Sequence, residues 1–173
     1  MSARTLVLGG IRSGKTGMAE RMAAEHPGDV VYVATATAGD AEMADRIRRH
    51  QQARPDNWGL REAPVELASV LAEAAGMTPA PCLLVDCMSL WVSNLLHAGD
   101  DVLAGEKSAF LEAVANFPGA LVIVSNEVGL GTIGMDPLTR RFCDQLGWLN
   151  QALAERCDRV VMSVAGLPLV LKG

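Results

Sequence analysis

The chain has 173 residues, half of them apolar and 20% charged, enough for one sizeable core and one domain spanning 1–173. A net charge of −5 with no basic tail or stripe argues against nucleic acid as a partner. The apolar runs are too short and interrupted to span a membrane, and no signal peptide precedes the first strand, so a cytoplasmic protein is expected. Cys82, Cys87, Cys143 and Cys157 form no C-x-x-C pair and no zinc-spaced cluster, and they read as reduced, partly buried thiols.

Arg4-Thr5-Leu6-Val7-Leu8 reads as a short buried strand. Gly9-Gly10-Ile11-Arg12-Ser13-Gly14-Lys15-Thr16 follows at once and satisfies G-x-x-x-x-G-K-[ST] at every fixed position. Met18, Ala19, Met22 and Ala23 then predict a helix from Gly17 to Glu25. Strand, glycine loop and helix start are what a triphosphate cradle needs. Glycines let backbone N–H groups curl round phosphate oxygens, and the helix N-terminus adds partial positive charge. In that role Lys15 reaches the β- and γ-phosphates and the Thr16 hydroxyl is a Mg²⁺ ligand. The motif specifies a nucleoside triphosphate and leaves the base and the reaction open.

Val30 to Ala34 is a second strand, too apolar to be half-exposed. It runs into the small-residue loop Thr35-Ala36-Thr37-Ala38-Gly39, which suits a ligand lying over the strand tips as well as it suits an ordinary connection. Asp40 caps a predicted helix from Ala41 to about Ala53, with Met43, Ile47, His50 and Arg54 on one side and Pro55 as its stop. His50 lies among Arg46, Arg49 and Arg54. These cations favour the neutral imidazole, which can attack a phosphorus, and they could hold a polyphosphate. On these residues alone, a solvated histidine on a basic helix face is the simpler reading.

Trp58 to Glu62 reads as a short edge strand, and Pro64 to Ala75 as a helix ended by Gly76. Cys82-Leu83-Leu84-Val85-Asp86 is an apolar strand ending in the kind of acid that holds Mg²⁺ opposite a phosphate loop; Asp86 could equally cap the next helix, or do both. Met88 to Leu96 is a helix, residues 97–101 a loop carrying an exposed His97, and Lys107 to Phe117 a further helix. Leu121 to Ser125 is a buried strand, with Asn126 and Glu127 just past its end, where α/β active sites are built. Glu127 suits a general base or a substrate contact as well as a loop acid tied to a backbone N–H. Gly129, Gly131 and Gly134 make the following loop a candidate gate. Pro137 to about Arg156 is a long helix, Arg159 to Val164 a strand, residues 165–168 a turn, and Leu169 to Lys172 an antiparallel edge strand. Strands alternating with helices give an α/β, P-loop NTPase-like fold: a mostly parallel sheet with flanking helices and that antiparallel C-terminal edge.

Taken together, these segments resemble the bifunctional adenosylcobinamide kinase/adenosylcobinamide-phosphate guanylyltransferase family of cobalamin biosynthesis. The resemblance runs over nearly the whole chain. It rests on the phosphate loop, on Tyr32-Val33-Ala34-Thr35-Ala36, and on the helix from Glu42-Met43 through Arg46-Ile47 and His50 to Arg54-Pro55. It rests also on Leu84-Val85-Asp86-Cys87-Met88-Ser89-Leu90-Trp91, on Ser125-Asn126-Glu127-Val128-Gly129 and on Ala165-Gly166-Leu167-Pro168. It implies phosphorylation of adenosylcobinamide by ATP or GTP. It then implies transfer of GMP from GTP to the resulting phosphate through a guanylylated histidine, releasing pyrophosphate. That histidine corresponds to His50, which displaces the simpler reading above, with Lys15 as the other catalytic residue.

The resemblance places nucleotide contacts at Gly9, Gly10, Ile11, Arg12, Ser13, Gly14, Lys15 and Thr16, at Ala34, Thr35 and Ala36, at Gln51, Gln52, Ala53 and Arg54, and at Glu62 and Asp86. Mg²⁺ would sit on Thr16 and Asp86, the partner would be the corrinoid, and the assembly a homotrimer. The stretch Thr132-Ile133-Gly134-Met135-Asp136-Pro137 departs from the family's usual Ile/Val-Val-Pro and points to different corrinoid contacts there. The runner-up is a P-loop kinase of another small molecule without guanylyl transfer. A regulatory GTPase is a third class, but no Asn-Lys-x-Asp motif is present and Asp86-Cys87-Met88-Ser89 is not Asp-x-x-Gly.

Overall fold

The computed structural model describes residues 3–37, 55–132 and 134–173. Its strands are β1 (Arg4–Gly9), β2 (Val30–Ala34), β3 (Gly59–Glu62), β4 (Cys82–Asp86), β5 (Leu121–Asn126), β6 (Arg159–Val164) and β7 (Leu167–Lys172). Its helices, among the described residues, are α1 (Lys15–Ala24), α2 (Leu67–Ala75), α3 (Met88–Ala98), α4 (Asp100–Asn116) and α5 (Pro137–Arg156). The expected helix over 41–53, with His50, lies outside the described residues.

Among the described residues the strands form one sheet in the order β3-β2-β4-β5-β1-β6-β7. All pairings are parallel except β6 with β7, as the alternation of strands and helices predicts. β1 lies inside, between β5 and β6, and its apolar run is wholly buried from Thr5 to Leu8. Strand side chains alternate between two cores. Leu6, Leu8, Val33, Leu83, Val85, Leu121 and Ile123 meet α2 to α5 on one side, while Val7, Tyr32, Leu84, Val122 and Val124 meet α1 on the other. On the larger side Trp91 tilts against Phe110, ring centres 4.9 Å apart, and its indole N–H donates to the Val65 carbonyl at 2.7 Å.

Several boundaries differ from those the sequence suggests. Residues 97–101 are not a loop: α3 runs to Ala98 and α4 starts at Asp100, separated by Gly99 alone. Gly99 sits at φ 114°, a conformation open to glycine, so one residue turns the chain. Asp100 and Asp101 then fall in the first turn of α4, where carboxylates suit the helix dipole. That helix ends at Asn116, because Pro118 holds Phe117 extended at φ −66°, ψ 124°. β7 begins at Leu167, so the turn is Ala165-Gly166, and Pro168 is tolerated on an edge strand.

The start of β1 is tied to the approach to β6 by one charged pair. Arg4 donates through Nε and Nη2 to the two carboxylate oxygens of Asp158 at 3.2 and 3.0 Å, and its backbone N–H adds a third bond at 2.9 Å. These bonds hold the Asp158 carboxyl down at about 2, below its ordinary 3.8. The pair is part-exposed, so its worth is about 0.5 kcal/mol. Asp158→Asn is expected to lower the melting temperature by about 1–3 °C at neutral pH. Because the folded-state value is depressed, the wild-type advantage is full above about pH 4 and fades as pH falls through 2. Melting curves of both proteins between pH 7 and 2 check it; a gap that persists unchanged to pH 2 refutes the ion-pair account.

Candidate active site

The loop after β1 is shaped by a contact with the far end of the chain. The Ser13 carbonyl accepts the Gly166 N–H at 2.8 Å and the Ser163 hydroxyl at 2.8 Å. Carbonyl and N–H of a trans peptide point in opposite directions. Fixing the Ser13 carbonyl on the β6–β7 hairpin therefore turns the Gly14 N–H away from the hairpin. Gly14 takes φ 90°, and a Cβ there would lie 3.2 Å from the Gly166 Cα. A Cβ on Gly9 would meet the Ser13 Oγ at 2.4 Å and the Ser163 carbonyl oxygen at 2.9 Å. A Cβ on Gly10 would meet nothing within 4 Å among the described residues, so their packing does not explain that glycine.

The hairpin can make this contact because both residues of its turn have positive φ, 51° at Ala165 and 80° at Gly166, as a two-residue primed turn requires. Behind the loop, α1 opens at Lys15 with no acidic residue in its first turn, which leaves its positive pole for an anion. Lys15 Nζ lies over the loop and donates to the Gly10 carbonyl at 3.0 Å. Thr16 follows it in the same first turn.

The tips of β3, β2 and β4, of which β4 is two strands from β1, form a level row, with Glu62 paired to Ala34 and Ala34 paired to Asp86. Asp86 Oδ2 accepts the Tyr32 hydroxyl at 2.9 Å, which orients the carboxylate. Thr35 is fully buried and bound on every side. Its N–H donates to the Asp86 carbonyl, its Oγ1 bridges the Cys87 N–H and C=O at 2.8 Å each, and its carbonyl accepts from Asn94 Nδ2 at 2.8 Å. Asn94 also donates to the Pro64 carbonyl at 2.9 Å, so one side chain ties the β2 tip to the entry of α2. Thr35 thus serves as the clamp between the two tips, with its polar groups already used by protein. Burial, and then the Asp86 charge, push the Cys87 thiol up, so it stays protonated beside the carboxylate.

Asn126 stands beside the phosphate loop, its Cα paired with Gly9, and the Glu127 N–H donates to the Gly9 carbonyl at 3.1 Å. Below it the Ser125 hydroxyl donates to Asn150 Oδ1 at 2.6 Å, and Asn150 Nδ2 donates to the Asn126 carbonyl at 3.0 Å. Gly9 to Thr16, Ala34 to Ala36, Glu62 and Asp86 therefore lie on one edge of the sheet, its C-terminal edge. Gln51, Gln52, Ala53 and Arg54 lie, with His50, outside the described residues. Sequence reading passed over Tyr32, Asn94 and Ser163. The available signal was polarity out of place: Ser163 interrupts the apolar run of β6 and is 1% exposed, and Asn94 sits among the leucines of α3.

The family model described as cobinamide kinase / cobinamide phosphate guanyltransferase matches residues 5–171. The bifunctional adenosylcobalamin biosynthesis protein CobP of Pseudomonas aeruginosa is 51% identical over 171 residues, covering 98% of both chains. CobU of Salmonella typhimurium, which bears the same bifunctional description, is 35% identical over 181 residues, 96% of this chain and 98% of that one. Among solved structures, the RadB recombinase superposes with a TM-score of 0.53 at 20% identity, over 92% of this chain and 73% of its own, a likeness of fold alone. The sequence match runs from the first strand to the last and takes in the phosphate loop, the hairpin that braces it and both strand tips, so the chain belongs to the cobinamide kinase / cobinamide phosphate guanyltransferase family.

Proposed function

We propose that this protein phosphorylates adenosylcobinamide with ATP or GTP and then transfers GMP from GTP to the phosphate it has made. The observation that carries the reading is family membership over residues 5–171 combined with a phosphate loop whose Ser13 carbonyl is pinned outward. In the first reaction the acceptor hydroxyl oxygen bonds to the γ-phosphorus. The bond from that phosphorus to the β–γ bridging oxygen breaks, the nucleoside diphosphate leaves, and the hydroxyl proton passes to solvent. Backbone N–H groups of Gly9 to Thr16, the α1 pole and the Lys15 ammonium carry the negative charge while the groups stay in line.

In the second reaction an imidazole nitrogen of His50 bonds to the α-phosphorus of GTP and pyrophosphate leaves. A phosphate oxygen of the corrinoid product then displaces the imidazole. Two displacements replace one three-body encounter. Contacts to the nucleotide are assigned to Gly9 through Thr16, Ala34, Ala36, Gln51 to Arg54, Glu62 and Asp86, while Thr35, expected among them, is fully buried with its polar groups taken and serves by clamping the strand tips. The two oxygen donors Thr16 and Asp86 suit Mg²⁺, which takes few protein ligands and keeps water and phosphate oxygens for the rest; no cluster of three metal-ligating side chains occurs among the described residues. Bound there, the ion would neutralise phosphate charge. The reading takes the whole chain as one cytoplasmic domain working as a homotrimer. An edge strand whose Leu167, Leu169, Val170 and Leu171 are all exposed supports association of several copies. Among the described residues no helix is long and apolar enough to cross a membrane.

Three outcomes are expected. Lys15→Ala should lower kcat/KM for cobinamide phosphorylation by about 100-fold or more at unchanged melting temperature; near-wild-type turnover would remove the phosphate loop from the reaction. Incubation with α-labelled GTP should leave acid-labile, base-stable label on the wild type and none on His50→Ala, whereas an unlabelled wild type that still phosphorylates cobinamide would reduce the activity to a kinase. Ser163→Ala should raise the nucleotide KM about fivefold, the worth of one hydrogen bond, with Ser163→Thr restoring it. Equal nucleotide KM values in steady-state assays of all three proteins would show that the hairpin does not aim the loop.

A further inference from the structure

A groove of about 390 Å³ opens between α3 and the first turns of α5, with Asn126 among the residues that line it. We infer that this groove seats the phosphoryl acceptor, and that Asn126 holds the acceptor's hydroxyl beside the phosphate loop. The inference rests on the kinase reading above and adds to it the site and chemistry of the second substrate.

Position is the first ground. Asn126 and Gly9 are register partners on adjacent parallel strands, about 4.8 Å apart, and Gly9 opens the phosphate loop. A group held by Asn126 is therefore next to the place where a terminal phosphate is cradled. Polarity is the second. One end of the Asn126 amide donates to Ser89 Oγ at 3.1 Å, while the other end, Oδ1, is buried and has no hydrogen-bond partner among the described residues. A buried amide atom in that state has room for a further polar partner, which a bound substrate can supply. A hydroxyl meets the need whichever way the amide is turned, because it both donates and accepts.

The rest of the lining narrows the class. Ser89, Ser93 and Thr139 add hydroxyls and His97 an imidazole, while Leu96, Leu138 and Phe142 supply apolar walls, and no Lys or Arg is among the described lining residues. The site suits a neutral alcohol on an apolar body rather than an anion. Its volume is near the lower end of the roughly 300–1,000 Å³ typical of small-molecule pockets, so it takes the hydroxyl-bearing arm of a large substrate, with the bulk outside. The wall from α5 is firmly set. Asp136 caps that helix by accepting the Thr139 N–H at 2.8 Å, and Pro137 opens it. That wall follows directly on the stretch where this chain departs from the usual family pattern.

The test is steady-state phosphorylation of cobinamide by the full chain, with each substrate varied in turn, for wild type, Asn126→Ala and Leu138→Arg. Leu138 is 52% exposed, so its substitution tests the groove without touching the core. Both variants should raise the cobinamide KM about tenfold or more and leave the nucleotide KM within twofold. Equilibrium dialysis of cobinamide against the protein with a non-hydrolysable triphosphate should show the same loss of affinity. A wild-type cobinamide KM in both variants, or a shift in the nucleotide KM instead, overturns the assignment of the groove while leaving the kinase reading intact. A wild type that does not phosphorylate cobinamide overturns that reading and the groove's assignment with it.

Discussion

The two hydrogen bonds on the Ser13 carbonyl govern the rest of the site. A glycine-rich loop has many conformations, and a phosphate needs one in which consecutive N–H groups converge. Here the choice is imposed from outside the loop, by the Gly166 N–H and the Ser163 hydroxyl of the terminal hairpin. The hairpin in turn depends on positive φ at Ala165 and Gly166, and on the pairing of β6 with β1. The short Ala-Gly-Leu-Pro segment, far from the phosphate motif in sequence, is thus part of the same piece of machinery.

The opposite half of the sheet edge uses the same device with other groups. The β2 and β4 tips are locked by Thr35, whose hydroxyl bridges both polar groups of the Cys87 backbone, and by Asn94 reaching up from α3. The Tyr32 hydroxyl then fixes the Asp86 carboxylate. Each bond is modest alone, but all lie in a part-buried edge where a lost partner leaves a polar group unsatisfied. The effect is a rigid rim that positions an acid relative to the phosphate loop two strands away.

Much of this was legible in the residues and some was not, for identifiable reasons. The parallel sheet followed from apolar strand runs alternating with amphipathic helices, and the phosphate loop from fixed spacing. Asp86 was visible because a charge ends an otherwise apolar strand. The α3–α4 junction was hidden because His97-Ala98-Gly99-Asp100-Asp101 has loop composition, yet a single glycine makes the turn and the aspartates begin a helix. Thr35 read as one more small residue in a ligand loop, and nothing local says that its hydroxyl is taken by Cys87. The Ser163–Ser13 bond joins residues 150 apart, and no pattern within a window of sequence encodes it.

The position of β1 in the sheet also bears on how the molecule assembles during synthesis. β1 precedes every other strand, yet its neighbours β5 and β6 emerge from the ribosome more than a hundred residues later. Until they arrive, an apolar strand destined for the interior has neither edge covered, and the closure of a long loop must precede its pairing. The nascent chain therefore carries an apolar, unpaired strand through most of translation, and the nucleotide cradle takes shape only once the final hairpin has docked.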